Sequence, residues 1–175
     1  MGVSRQKAAE NRGAIISAAE KLFRNRGVDA VGLVELMAAA GLTRGGFYNH
    51  FTSKDALVDE VMAKAMRDGL ASLDTAARVS YSRGTDALDD QIDFYLSPGH
   101  RADLDQGCPN AAFVGDAGRL DEEAQEDYAR GLNANLDRFT EIVRQSAHID
   151  DQAEGRALAS PCSVKCWGLS CSHVP

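Results

Sequence analysis

The sequence predicts an all-α fold in two parts: an N-terminal three-helix domain over residues 1–53, and a second helical domain over 54–159. An atypical, non-helical tail, 160–175, follows. Three observations predict this. Apolar residues recur at helical spacing through most of the chain, glycines and hydroxyl residues stand where such stripes start and stop, and no run alternates in the manner of a strand.

The elements follow in order. Ile15, Ile16, Ala19, Leu22 and Phe23 form one stripe on a helix from about Asn11 to Arg26, with Gly27 placed to end it. Leu33, Leu36, Met37 and Ala40 make a short second helix that stops at Gly41. Thr43 is placed to cap a third, running to about His50. Ser53 caps a fourth from Lys54 to about Leu73, which bridges the two domains. The polar stretch from Ser80 to Thr85 reads as a break, and Leu88, Ile92, Tyr95 and Leu96 mark another helix, closed by Ser97-Pro98-Gly99. A short helix from about Pro109 to Arg119 and a long one from Glu122 to Ala147 come next, and Asp150 opens a last one through Leu158.

Composition narrows the function classes. A hydrophobic share of 44% and a charged share of 26% are ordinary for a globular protein. No apolar run is long enough to span a bilayer and no secretory leader is visible, so no membrane association and a cytoplasmic location are expected. The net charge of −7 is unevenly spread. Up to Lys54 eight basic residues face four acidic ones, net +4, leaving −11 for the remainder. A basic head with an acidic body suits contact with a polyanion at one end only, although charge alone decides little.

The informative segment is Leu33-Val-Glu-Leu-Met-Ala-Ala-Ala-Gly-Leu-Thr-Arg-Gly-Gly-Phe-Tyr-Asn-His-Phe51. Two short helices meet at Ala40-Gly41-Leu42, where glycine tolerates the positive φ of a tight turn and Leu42 plugs the angle between them. Phe47 and Phe51, four apart, share one side of the second helix and leave Arg44, Gly45, Tyr48 and Asn49 facing outward. Apolar anchors behind and hydrogen-bonding groups in front are what a helix-turn-helix needs to enter the major groove, though a plain helical hairpin would share the pattern.

Gly41-Leu42-Thr43, Phe47-Tyr48-Asn49-His50-Phe51 and Ser53-Lys54-Asp55-Ala56-Leu57 together closely resemble the signature of TetR/AcrR-type repressors, over about residues 11–60. The resemblance implies a transcriptional repressor that binds a double-stranded DNA operator as a homodimer and is released by a small-molecule effector. Residue by residue it implies that Arg44 reads a base and that Gly45 permits close approach to base edges. Tyr48, His50 and Lys54 would contact phosphate, Thr43 would cap its helix and reach the DNA backbone, and Asn49 would touch base or phosphate. Beyond residue 60 the resemblance is architectural: a C-terminal regulatory and dimerisation domain whose last two long helices pair between protomers.

Met66, Phe94, Tyr95, Cys108, Phe113, Tyr128 and Leu132 are the candidate linings of an effector pocket, although such residues more often serve as plain core. Cys108, in Gly107-Cys108-Pro109, stands at the N-cap of a helix, a position that lowers a thiol's pKa, and an alternative reading makes it a redox or electrophile switch. From Ser160 the composition shifts abruptly: Pro161 would interrupt any helix, and three of the four cysteines follow. Cys162, Cys166, Cys171 and His173 match no zinc-finger spacing, so no metal and no cofactor are expected. With no nucleophile–base pair or phosphate loop in view, an enzyme is not expected either. Because the final interface helix is broken at Pro161, the dimer is expected to be weakened by this divergent tail.

Overall fold

The computed structural model describes residues 4–160; residues 1–3 and the sequence from Pro161 onward, including the candidate zinc ligands and most of the divergent tail, lie outside the described residues. Local signals set the helix ends. Helix α1 (Arg5–Arg26) starts where Ser4 accepts from the Lys7 amide, and it ends at Gly27, whose φ of 76° suits a residue without a Cβ. Helix α2 (Leu33–Ala39) turns at Gly41, φ 71°, as the sequence predicts. The next element, Arg44–Asn49, is a 3-10 turn rather than the expected α-helix.

Helix α3 (Lys54–Arg83) is the longest element, 30 residues, capped by Ser53 at its start and by left-handed Gly84 at its end. It runs ten residues past the predicted end at Leu73. The polar residues that suggested a break instead bond back along the helix, Ser80 Oγ donating to the Ala76 carbonyl and Ser82 Oγ to that of Val79. Helix α4 (Ala87–Leu96) is capped by Asp86, which accepts from the Leu88 and Asp89 amides. The Ser97-Pro98-Gly99 break also starts a helix: Pro98 opens α5 (Pro98–Ala102) at the position where its missing N–H costs nothing. Helices α6 (Pro109–Ala117) and α7 (Glu122–Ala147) follow, then a final helical stretch, 152–160, which includes Ser160, assigned above to the tail. No strand occurs among the described residues, and none of their helices is long and apolar enough to cross a membrane.

The main core does not stop at the head. Ile15, Phe23, Leu36, Phe47 and Leu57 pack with Met62 and Met66 of α3, with Phe113 of α6 and with Tyr128 of α7. Helix α3 thus carries apolar surface from the head into the body, where α7 packs along it. That approach is close because Gly131 faces Met66; a Cβ at Gly131 would come within 2.8 Å of the Met66 Cβ. A second close approach sets Gly69 of α3 against the Pro109 ring.

A paired substitution on α6 tests this single-core description. Phe113 is fully buried while Val114 is 61% exposed. Phe113→Ala is expected to lose about 3–5 kcal/mol of unfolding free energy and Val114→Ala less than about 0.5 kcal/mol. Urea titration followed by circular dichroism should show one transition in both variants.

Candidate functional site

The outward face of the head is built on two phenylalanines. Phe47 is fully buried and Phe51 nearly so, their rings stacked with centroids 5.6 Å apart. The Arg12 guanidinium lies 4.5 Å from the Phe51 ring and is paired with Glu60, tying α1 to α3 behind the turn. With both anchors inside, Thr43, Arg44, Gly45, Tyr48 and Asn49 are left exposed and His50 half-buried. Tyr48 is 66% exposed, its ring set edge-on to Phe47 at 5.3 Å, so the phenol is held out from the surface.

Two details differ from the sequence reading. Thr43 occupies the N-cap position, but its side chain makes no cap bond: the 3-10 turn is closed through backbone, Gly46 N–H donating to the Thr43 carbonyl at 3.0 Å. Lys54 is turned inward, donating to the Val28 carbonyl at 2.7 Å with its ammonium 6.0 Å from the Phe23 ring.

Charge compensation separates Arg44 from its neighbours. Arg12 pairs with Glu60, Arg24 with Glu20, and Arg26 with Glu35. Among the described residues Arg44 has no carboxylate partner, and beside it Gly45 faces open space, a Cβ there meeting nothing within 4 Å. Neither packing nor a positive φ requires glycine at 45.

A cavity of about 660 Å³ lies in the body, between the C-terminal half of α3, α4 and the loop leading into α6. Phe94, Tyr95 and Cys108 line it; Met66, Phe113, Tyr128 and Leu132 do not, and belong to the packed core beside it. The sequence reading also missed several wall residues, among them Arg24, His100, Asn110 and Asn135. The His100 ring sits 4.6 Å from Phe94 and 4.7 Å from Tyr95, and burial pushes its pKa below the ordinary histidine value, so the ring is uncharged at neutral pH. Nothing in the local sequence flags Arg24, which reaches from α1 to donate to the Gly107 carbonyl at 2.5 Å, its guanidinium 5.4 Å from the Phe113 ring. Asn25 and Lys21 also hold Asp105 of the same loop, and past the end of α6 Arg119 pairs with Asp29 at 3.1 Å. Cys108 is buried, is the free cysteine of the described residues, and makes no cap bond at the start of α6.

Residues 15–61 match the family described as bacterial regulatory proteins, tetR family. By this match residues 15–61 are a tetR-family segment. The transcriptional repressor BepR of Brucella suis is 40% identical over 62 residues, which cover 35% of this chain and 30% of BepR. The transcriptional regulator TtgR of Pseudomonas putida is 41% identical over 59 residues, 34% of this chain and 28% of TtgR. The similarity to these curated relatives thus spans less than a third of their length. The overall fold is shared with the reduced form of E. coli NemR, TM-score 0.65 at 16% identity, covering 93% of this chain and 95% of that one. NalD, the secondary repressor of the MexAB-OprM efflux pump in Pseudomonas aeruginosa, is 26% identical with a TM-score of 0.52, covering 93% of this chain and 83% of NalD.

The different engagement of two cations of the TetR-type domain yields a stability prediction. Lys54→Ala removes a charged hydrogen bond that holds the α1–α2 loop and should cost about 1–2 kcal/mol of unfolding free energy. Arg44→Ala should change it by less than about 0.5 kcal/mol. Chemical denaturation of both variants without DNA checks this.

Proposed function

We propose that the chain is a transcriptional repressor that inserts the Arg44–Asn49 turn into the major groove of an operator and leaves it when a small molecule fills the body cavity. The carrying observation is the uncompensated Arg44 beside Gly45 on an exposed turn anchored by Phe47 and Phe51. A guanidinium with no carboxylate partner among the described residues is free to donate two bonds to guanine O6 and N7, and glycine beside it lets the backbone approach base edges. Thr43, Tyr48, Asn49 and His50 surround this pair as backbone-positioning contacts. Lys54 reaches phosphate with the donors that the Val28 carbonyl leaves free.

Release runs through two connections between body and head. One is α3, which starts beside the turn and ends along the cavity. The other is Arg24, which lies in the cavity wall and holds Gly107, the residue before Cys108 and α6. A ligand that displaces the α6 entry loop moves α1, and with it the turn, because Arg24 holds Gly107 and Asn25 holds Asp105 of that loop. A thiol switch at Cys108 is the weaker reading, since its sulfur is buried beside a cavity that already offers a ligand site.

Two copies would pair through α7 and the following stretch, 152–160, which Arg156 holds against α7 through Asp137 and Asn133. Phe139 and Val143 of α7 are buried within the protomer and are not free for this contact. With those two residues spent inside the protomer, less apolar area is left for pairing, and on this reading the dimer is weak.

Three outcomes follow. Arg44→Ala should relax preference at one base pair per half-site, at a cost of about 1–3 kcal/mol, read by selection from random duplexes; unchanged preference would contradict the placement. Arg24→Ala should bind operator but lose most of its response to a releasing ligand. Sedimentation from nanomolar to micromolar protein should show a monomer–dimer equilibrium, whereas a tight dimer at the lowest concentration would contradict the weak interface.

A further inference from the structure

The cavity wall has a surplus of hydrogen-bond acceptors. Asn110, 6% exposed and the second residue of α6, has a side-chain oxygen without a donor among the described residues. An unmet buried carbonyl costs free energy that a ligand donor would recover. Asn135, 5% exposed on α7, spends its amide N–H groups on the Met66 carbonyl at 3.2 Å and the Gly131 carbonyl at 2.9 Å. Only its oxygen is left to meet a ligand. The α4 side of the cavity adds two carboxylates: Asp90, which accepts from Thr85 at 2.6 Å and has Arg83 of the same wall near it, and Asp93, which has no ion-pair partner among the described residues and leaves the α4 side net acidic. Next to them Phe94, Tyr95 and the uncharged His100 form a cluster of three rings, with Phe94 55% exposed.

We infer that the cavity takes a flat aromatic ring bearing an alkylamine, protonated at neutral pH, whose N–H groups meet the Asn110 and Asn135 oxygens and whose ring lies against Phe94, Tyr95 and His100. The acceptors reject a ligand that brings only acceptors, because each would then stay unpaired. Asp90 and Asp93 oppose an anion and favour a cation, while the ring cluster supplies apolar area and π faces. This class rests on the reading of the cavity as the effector site.

Three probes with one ring system isolate the charge and the donor: 1-naphthylmethylammonium, 1-naphthylmethanol and 1-naphthoate, titrated calorimetrically into the full chain. The ammonium should bind tightest and the carboxylate weakest, a span of about tenfold or more. Asp93→Asn should weaken the ammonium alone. Asn110→Leu, which removes an acceptor that has no donor to lose, should weaken the ammonium and the alcohol together. A carboxylate that binds as tightly as the ammonium, no binding by any probe, or indifference of all affinities to both variants would overturn the inference. The same probes added to a complex with a selected DNA duplex separate the two readings. Binding of the ammonium without release would leave the ligand class standing and overturn ligand-controlled release. Release by the carboxylate alone would do the reverse.

Discussion

Continuity of α3 is the constraint on which the rest of the structure depends. Thirty residues at 1.5 Å each make a rod of about 45 Å, too long to belong to the head or the body alone. Its first turn, with Leu57, Val58 and Val61, completes the core around Phe23 and Phe47. Its middle, at Met66 and Gly69, receives α7 and α6. Its last turns, at Val79, Ser80 and Arg83, form a wall of the cavity. The caps at both ends are strong, so the helix neither frays beside the turn nor dissolves beside the cavity: Ser53 accepts from Ala56, and left-handed Gly84 donates to two carbonyls. A core shared along such a rod makes a change at one end a displacement at the other rather than a local relaxation.

Electrostatics then divides the molecule into neutralised and open parts. Most head arginines are used internally: Arg12 stabilises the join between α1 and α3, Arg26 the α1–α2 connection, and Arg24 the contact with the α6 entry loop. Their charge does not project outward in full, which is why net charge alone said little. Arg44, left without a carboxylate on an exposed turn, carries more functional weight than the +4 of the head. The body's acidic balance has a counterpart in the cavity, where Asp90 and Asp93 stand beside the ring cluster. On the proposed function the molecule would present a cation toward DNA and acceptors toward its ligand.

Much of the fold and the head was legible in the sequence because both are written in local chemistry. Gly27 and Gly41, the Ser53 cap, and the Phe47/Phe51 spacing each act within a few residues, and the bounds of α7 follow from its own Asp121 cap. Three things were not legible. The length of α3 was hidden because serines that usually mark a turn can also bond back to their own helix. The inward turn of Lys54 depends on Val28, 26 residues away. The cavity wall depends on which apolar residues find partners: periodicity groups Tyr128 and Leu132 with Phe94, yet packing puts the first two in or against the core and leaves the last exposed. Arg24 and Asn110 carry no local signal at all, since their roles arise only when α1, α6 and α7 meet.

Hydrogen–deuterium exchange of the full chain, with and without a duplex selected for binding, tests most directly the claim that one turn of the head is the DNA-contacting surface. The account predicts slowed exchange concentrated in residues 40–55, a smaller effect along the first turns of α3, and no slowing from 98 to 120. Slowing confined to the body, with residues 40–55 exchanging as in the free protein, would contradict it.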